Sequence, residues 1–465
     1  DLWMSWGRRR LAEVAPGPHS GSVLPLPTRP QLQWQLRQSS CFVHYNMATM
    51  VGSQGCQSGV VAPPPLSAWQ PVALDTDLWM KTCKAMGGER IIYTAKHGCG
   101  FAAWRSNITA YNYSVSDVKG AAAIDVVAAF VSSARRAGLG VGFYYSDATN
   151  SYCNVAGGAV QPGGGKPGQL LVTQAQYDDF VVAHLTELWG SYGALDEIWF
   201  DGGYHKTLAL RLRTLLSQLQ PDAVVFGGAG LTTNAIRWIG SESGYAPYPT
   251  WSTTHPMDPG SAGSPNGTVW MPAETDFTLQ LLDRWFYSPG IGVRSPKELR
   301  NMFETSFGSN TGLIVDIAPY PNGSVPAAQL TAAGTLGKFV YNCYEQRPVA
   351  SVSGSTSSIT VKPPSPAMID RVVIREEESK GERVRLFSLK AALANGSSVP
   401  LCPERGGKAI GNAFICVALT MNVSSVTLTI LEAAGVPHIS QLALLSCSAV
   451  AKQIDDEWTS SVSWK

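Results

Sequence analysis

The chain has 465 residues, 45% of them hydrophobic, enough for a large core and for more than one domain. Thirty-five Lys and Arg against thirty-four Asp and Glu leave a formal net charge of +1, which gives no field to recruit nucleic acid or an anionic membrane and suits a neutral substrate. No apolar run reaches the roughly 20 residues of a membrane-spanning helix, so the chain reads as soluble, with any signal peptide outside it.

Residues 1–23 read as an N-terminal extension. From 24 to 345 helix-period segments alternate with short apolar runs: "LDTDLWMKTCKAM" then "RIIYTAKH", "IDVVAAFVSSARRAG" then "LGVGFYYS", and "TQAQYDDFVVAHLTELWG" behind a Thr173 N-cap, then "LDEIWFDGG". "KTLALRLRTLLSQL" leads to "AVVFGG", and "SPKELRNMFETSFG" to "GLIVDI". Repeated helix-then-strand units predict a parallel sheet with helical cover, as an eight-unit barrel or an open doubly wound sheet. Polar residues at the C-terminal ends of several strands, His97, Tyr145 and Asp201, favour the (β/α)8 TIM-type barrel, whose active sites lie at that end. No G-x-G-x-x-G follows a strand, which removes the main signature of a dinucleotide-binding sheet. Residues 346–365, rich in Ser, Gly and Pro, read as a linker running into a first strand, and 366–465 as a C-terminal β-sandwich of short β-rich runs.

The nine cysteines contain no CxxC pair, which argues against a zinc site, and their odd number leaves at least one unpaired within the chain. Six of the fourteen asparagines stand in N-x-S/T sequons (Asn107, Asn112, Asn266, Asn322, Asn395, Asn422) and point to a eukaryotic secretory route, with a secreted, extracellular or lysosomal/vacuolar destination.

The run Ile198–Phe200 ends in an acid, Asp201, followed by two glycines. Asp-Gly is an ordinary turn dipeptide, so spacing alone leaves a plain turn open. Strand-end His44 and His97 are by themselves commonly satisfied interior residues, and His184, on an apolar helix face, is assigned to the core. "IRWIGSESGYAPYPTW" places Glu242 in a Gly/Ser loop ahead of Tyr245, Tyr248 and Trp251, a carboxyl beside aromatics of the kind that stack on sugar C–H faces. Two carboxyls on different loops of one barrel mouth meet the minimum for glycoside hydrolysis, with their separation deciding between retention and inversion.

The ordered set "PTRPQLQWQ", "CFVHYN", "LDTDLWMKTCKAMGGERIIYTAKHGCGF", "GFYYS", "LDEIWFDGG", "RWIGSESGY" and "WFYSPG" resembles the α-L-fucosidases of glycoside hydrolase family 29, and "RVVIREEESKGERVRLFSL" resembles their C-terminal β-sandwich. The resemblance implies a retaining exo-α-L-fucosidase with Asp201 as nucleophile and Glu242 as acid/base, matching the subfamily that acts on α-1,3 and α-1,4 fucosyl linkages. Glu274 is the second choice for the acid, with a structural carboxylate as its plainer reading. His44, His97, Trp104, Tyr145 and Trp285 are implied as fucose-pocket residues, and Tyr248 and Trp251 as contacts for the neighbouring sugar. The implied partner is a fucosylated oligosaccharide or glycoprotein, with no cofactor and no metal. One departure stands out: many members read K-H-H-D-G-F where this chain has Lys96 to Phe101 as K-H-G-C-G-F, so Gly98 replaces a second histidine. Competing readings are a glycan-binding protein on a decayed hydrolase scaffold and a retaining glycosidase for another sugar, such as a galactosidase.

Overall fold

In a computed structural model that describes residues 24–37, 39–56, 59–256 and 262–461, eight parallel strands close into a barrel. The N-terminal extension 1–23 lies outside the described residues. The strands follow each other around the barrel in chain order: β1 Ser40–Val43, β2 Arg90–Lys96, β3 Gly140–Tyr145, β4 Glu197–Phe200, β5 Val224–Phe226, β6 Ala235–Trp238, β7 Ala273–Thr278 and β8 Thr311–Ile317. The barrel class read from the alternating helix and strand pattern is therefore the one found.

Local chemistry starts the covering helices where the pattern placed them. Asp75 and Asp125 accept from Leu78 N and Ala128 N to cap Thr76–Ala85 and Val126–Ala137, and Gly138 at φ 72° ends the latter in the left-handed region. Thr173 and Gln176 form a capping box on Gln174–Ser191, as do Ser295 and Glu298 on Pro296–Ser306. The eight-unit expectation is not met in full: residues 227–234 join β5 to β6 without a helix, and no helix stands among the described residues between β6 and β7. The latter stretch instead carries the loop with Glu242 and a small hairpin, Thr253–Thr254 with Val269–Trp270.

Strand alternation sorts the side chains into two cores. Phe42, Ile92, Tyr144, Trp199, Val224, Phe226, Ile236 and Ile314 point into the barrel, with Trp34 of the preceding helix Arg29–Leu36 joining them. Their strand neighbours Val43, Ile91, Phe143, Tyr145, Ile198 and Phe200 point outward to the helices.

Residues 350–445 form an antiparallel domain built on the long strand Phe414–Ala433, which pairs with Ala367–Glu376 over its first half and with Val384–Leu393 over its second. The stretch expected as linker carries two strands of this domain, Ala350–Gly354 and Ser358–Val361. A helix, Ser448–Ser461, follows the strands, which the β-sandwich reading of 366–465 did not contain. This helix returns to the barrel, where the Asp455 carboxylate accepts from both terminal guanidinium nitrogens of Arg300, Nη1 and Nη2, at 2.7 and 2.8 Å. Four disulfides, Cys41–Cys83, Cys56–Cys99, Cys343–Cys447 and Cys402–Cys416, leave Cys153 free and buried.

Candidate active site

A cavity of about 600 Å³ opens at the C-terminal ends of the barrel strands, within the size range of small-molecule sites. Asp201, Glu242, His44, His97 and Trp285 all line it. In β4 the side chains of Glu197 and Trp199 face the barrel axis, and continuing the period of two carries Asp201 to the mouth. The Tyr144 hydroxyl donates to Asp201 Oδ2 at 2.6 Å, and Asp201 lines the cavity. Trp285 Nε1 donates to Glu242 Oε2 at 3.0 Å, giving an exposed loop carboxylate one ordered partner.

The two histidines form one wall. His44 Nδ1 meets Asp316 Oδ1 at 2.7 Å and His97 Nδ1 meets the Gly55 carbonyl at 3.2 Å, so each ring offers Nε2 to a ligand. Burial pushes both imidazoles down to about 3, which keeps them neutral at the pH of any plausible compartment. His97 stacks on Tyr144 with ring centroids 5.2 Å apart. The floor is Trp199, stacked on Phe226 at 3.4 Å, and its indole nitrogen donates downward to Glu274 at 2.8 Å.

The other residues named from the sequence lie elsewhere. Tyr145 faces outward, where its hydroxyl meets His184 at 3.0 Å, and its neighbour Tyr144 takes the inward place because strand parity admits only one of two adjacent tyrosines. Trp104 is buried against His184 and donates to Glu187 of a covering helix at 2.9 Å. Tyr248 donates to Ala409 O at 2.8 Å and packs on Phe414, both in the β-domain. Trp251 is buried beneath the Arg385 guanidinium of that domain. Glu274 sits a layer below the cavity, buried beside Glu197, where burial raises its carboxyl well above the usual range, and it is not among the residues that line the cavity.

Sequence reasoning preferred Tyr145 to its neighbour Tyr144 on the "GFYYS" strand and missed Trp199, Trp238 and Asp276; Tyr144 and these three line the cavity. Their signal was the alternation itself, since each lies two residues from another inward-facing position on its strand. Asp276 is buried and accepts from Trp238 Nε1 at 2.9 Å, and burial first, then the nearby Glu242 and Asp201 charges, push its carboxyl up to about 8. It is a third carboxyl at the mouth, protonated at neutral pH.

The model of the α-L-fucosidase family matches residues 65–343, more than half of the chain. The chain belongs to the α-L-fucosidase family. That match spans β2 to β8 and contains Asp201, Glu242, Asp276 and Trp285, while His44 on β1 precedes it. An α-L-fucosidase 1 of Arabidopsis thaliana is 31% identical over 324 residues, 66% of this chain and 59% of the relative. A relative from Oryza sativa subsp. japonica is 30% identical over 360 residues, 74% of this chain and 65% of its own. The chain thus covers less than two thirds of the length of either plant relative. A crystal structure from Bacteroides thetaiotaomicron superposes with a TM-score of 0.81 at 27% identity, covering 91% of this chain and 100% of that one. A Ruminococcus gnavus GH29 fucosidase in complex with fucose has a TM-score of 0.73 at 20% identity, covering 95% and 99%, a likeness of fold.

Proposed function

We propose that this member of the α-L-fucosidase family is a retaining exo-α-L-fucosidase that removes terminal α-1,3- or α-1,4-linked L-fucose from glycans. The observation that carries the reading is the placing of two carboxylates with separate, single partners in one cavity: Asp201 on Tyr144 and Glu242 on Trp285. In the first step Asp201 Oδ1 attacks the anomeric carbon while Glu242 gives its proton to the departing glycosidic oxygen. Glu242, now a carboxylate, takes a proton from water, and the resulting hydroxide releases the sugar from Asp201, restoring the anomeric configuration. The Tyr144 hydroxyl, held protonated by burial and by Asp201, stabilises the carboxylate as it leaves the sugar.

Neutral His44 and His97 provide the hydroxyl contacts, and the Trp199 floor provides an apolar face. Trp238, 42% exposed beside Glu242, is the aromatic surface offered to the neighbouring sugar, in the role expected of Tyr248 and Trp251. Six sequon asparagines, all exposed, together with four disulfides support an oxidising, glycosylating compartment and a secreted or lysosomal/vacuolar site of action.

The test follows free fucose from an aryl α-L-fucoside and a branched Lewis-type trisaccharide, using wild type and Asp201→Asn. Release from the branched glycan that Asp201→Asn abolishes is the expected result, with the α-configured sugar as first product by NMR. Binding of fucosylated glycans without release would make the chain a lectin on a hydrolase scaffold, and faster cleavage of an aryl galactoside would reassign the sugar.

A further inference from the structure

His97 stands one residue beyond β2, at the point where the barrel ladder no longer holds the backbone. Its ring lies between Tyr144 and the segment 53–56 that follows β1. A Cβ added to Gly55 would lie 2.3 Å from His97 Cε1, and one added to Gly98 would lie 2.6 Å from the Gly55 carbonyl oxygen. Gly55 also has φ +108°, which L side chains rarely adopt. Each of these glycines is followed by a cysteine, and the two cysteines, Cys56 and Cys99, are bonded to each other. Two strands of backbone are therefore clamped face to face against the imidazole, with no room for a side chain at position 98.

The clamp reaches the opposite wall as well. Gln54 Nε2 donates to the Phe286 carbonyl and to Ser288 Oγ, both at 3.0 Å, and Gln54 Oε1 accepts from Phe286 N at 3.3 Å. Phe286 adjoins Trp285, the partner of Glu242, and its ring meets His97 edge-on at 4.9 Å. One short segment thus holds a sugar-facing histidine at one end and the loop carrying the Glu242 donor at the other.

Resting on the fucosidase reading, we propose that the Cys56–Cys99 disulfide and the Gly55 carbonyl are the positioning device for His97, with the carbonyl standing where a side chain at position 98 would begin. A carbonyl only accepts, so the contact at 3.2 Å places the single ring proton on Nδ1. Nε2 then faces the cavity as an acceptor for one sugar hydroxyl. Opening the disulfide frees Gly55 to withdraw, and His97 loses both its orientation and its tautomer.

The experiment compares wild type with Cys56→Ser/Cys99→Ser and with Cys402→Ser/Cys416→Ser, which opens a disulfide in the β-domain. Opening the clamp is expected to raise KM for an aryl α-L-fucoside about tenfold with kcat within about twofold, as loss of one ground-state hydrogen bond and some ordering would. The β-domain control leaves KM unchanged. ¹⁵N NMR of the imidazole is expected to show His97 protonated at Nδ1 in wild type and a tautomer mixture in the clamp variant. Should the double variant fail to fold, Gln54→Ala keeps the disulfide and is expected to raise KM about threefold. An unchanged KM with an unchanged His97 tautomer in a folded clamp variant overturns the inference. An inactive wild type overturns the fucosidase reading instead, and the imidazole spectra still decide whether the clamp sets the tautomer.

Discussion

The two ends of the barrel interior hold the same kind of residue for opposite purposes. Glu197 on β4 and Asp201 one residue past its end are both acids at the inward parity, two residues from Trp199 on either side. At the closed end, Glu197 is buried, takes the Trp34 indole N–H at 2.8 Å, and lies 3.4 Å from Arg90 Nε. Arg90 in turn donates to Ser40 Oγ and to the Trp34 carbonyl. At the open end, Asp201 has Tyr144 and a cavity. β7 repeats the arrangement, with Glu274 sealed below and Asp276 at the mouth. Strand period aims a carboxylate inward at either depth. Depth decides whether it is sealed in the core or lines the cavity, where Asp201 is exposed and Asp276 is buried with a raised carboxyl.

Substitutions should separate the two ends cleanly. The largest effect is at the mouth: Asp201→Asn should lower kcat for any fucoside by about a thousandfold or more, with thermal unfolding close to wild type, since it removes the proposed nucleophile and keeps the shape. At the closed end the pattern reverses. Glu197→Ala strips a buried guanidinium of its counter-charge and should cost about 3–5 kcal/mol of stability in denaturant unfolding, with KM preserved in the fraction that folds. A large loss of activity in folded Glu197→Ala would mean that the two layers are not independent.

Tyr144→Phe removes one hydrogen bond to a charged group, worth about 1.5–3 kcal/mol, and should lower kcat roughly 10- to 150-fold with little change in stability. Asp276 gives the smallest and most diagnostic effect. Its folded carboxyl keeps a proton up to about 8 while the unfolded chain releases it near pH 4, so stability falls as pH rises through that window. Above it, Asp276 adds a negative charge at the mouth, close to Asp201 and Glu242. Asp276→Asn cannot ionise and should flatten both the alkaline loss of stability and the alkaline limb of the pH–rate profile, leaving the rate at pH 6 within about threefold. An alkaline limb that Asp276→Asn leaves in place would assign it to another group.

Much of this was legible in the chain before any coordinates. The apolar run ending in Asp201 and the loop carrying Glu242 are local patterns, and strand and loop chemistry act over a few residues. Tyr145 was the wrong choice of two adjacent tyrosines, although Tyr144 shares parity with the inward-facing Gly142 and the distinction was available from alternation. Tyr248 and Trp251 could not be placed in that way. They follow Glu242 directly, but Tyr248 is held by Ala409 and Trp251 lies under Arg385, residues more than 130 positions later in a second domain.

By itself the sequence determined the strand and helix segments, their capping, the acid at the end of β4 and the family, because periodicity, end-capping and ordered motifs need only neighbouring residues. Tertiary structure decided which aromatics reach the cavity, that Asp276 joins the two expected carboxyls, and that Gly98 is empty because Gly55 stands against it. Those outcomes depend on barrel closure, on docking of the β-domain and on a disulfide across 43 residues, contacts whose energy appears only once distant segments pack together.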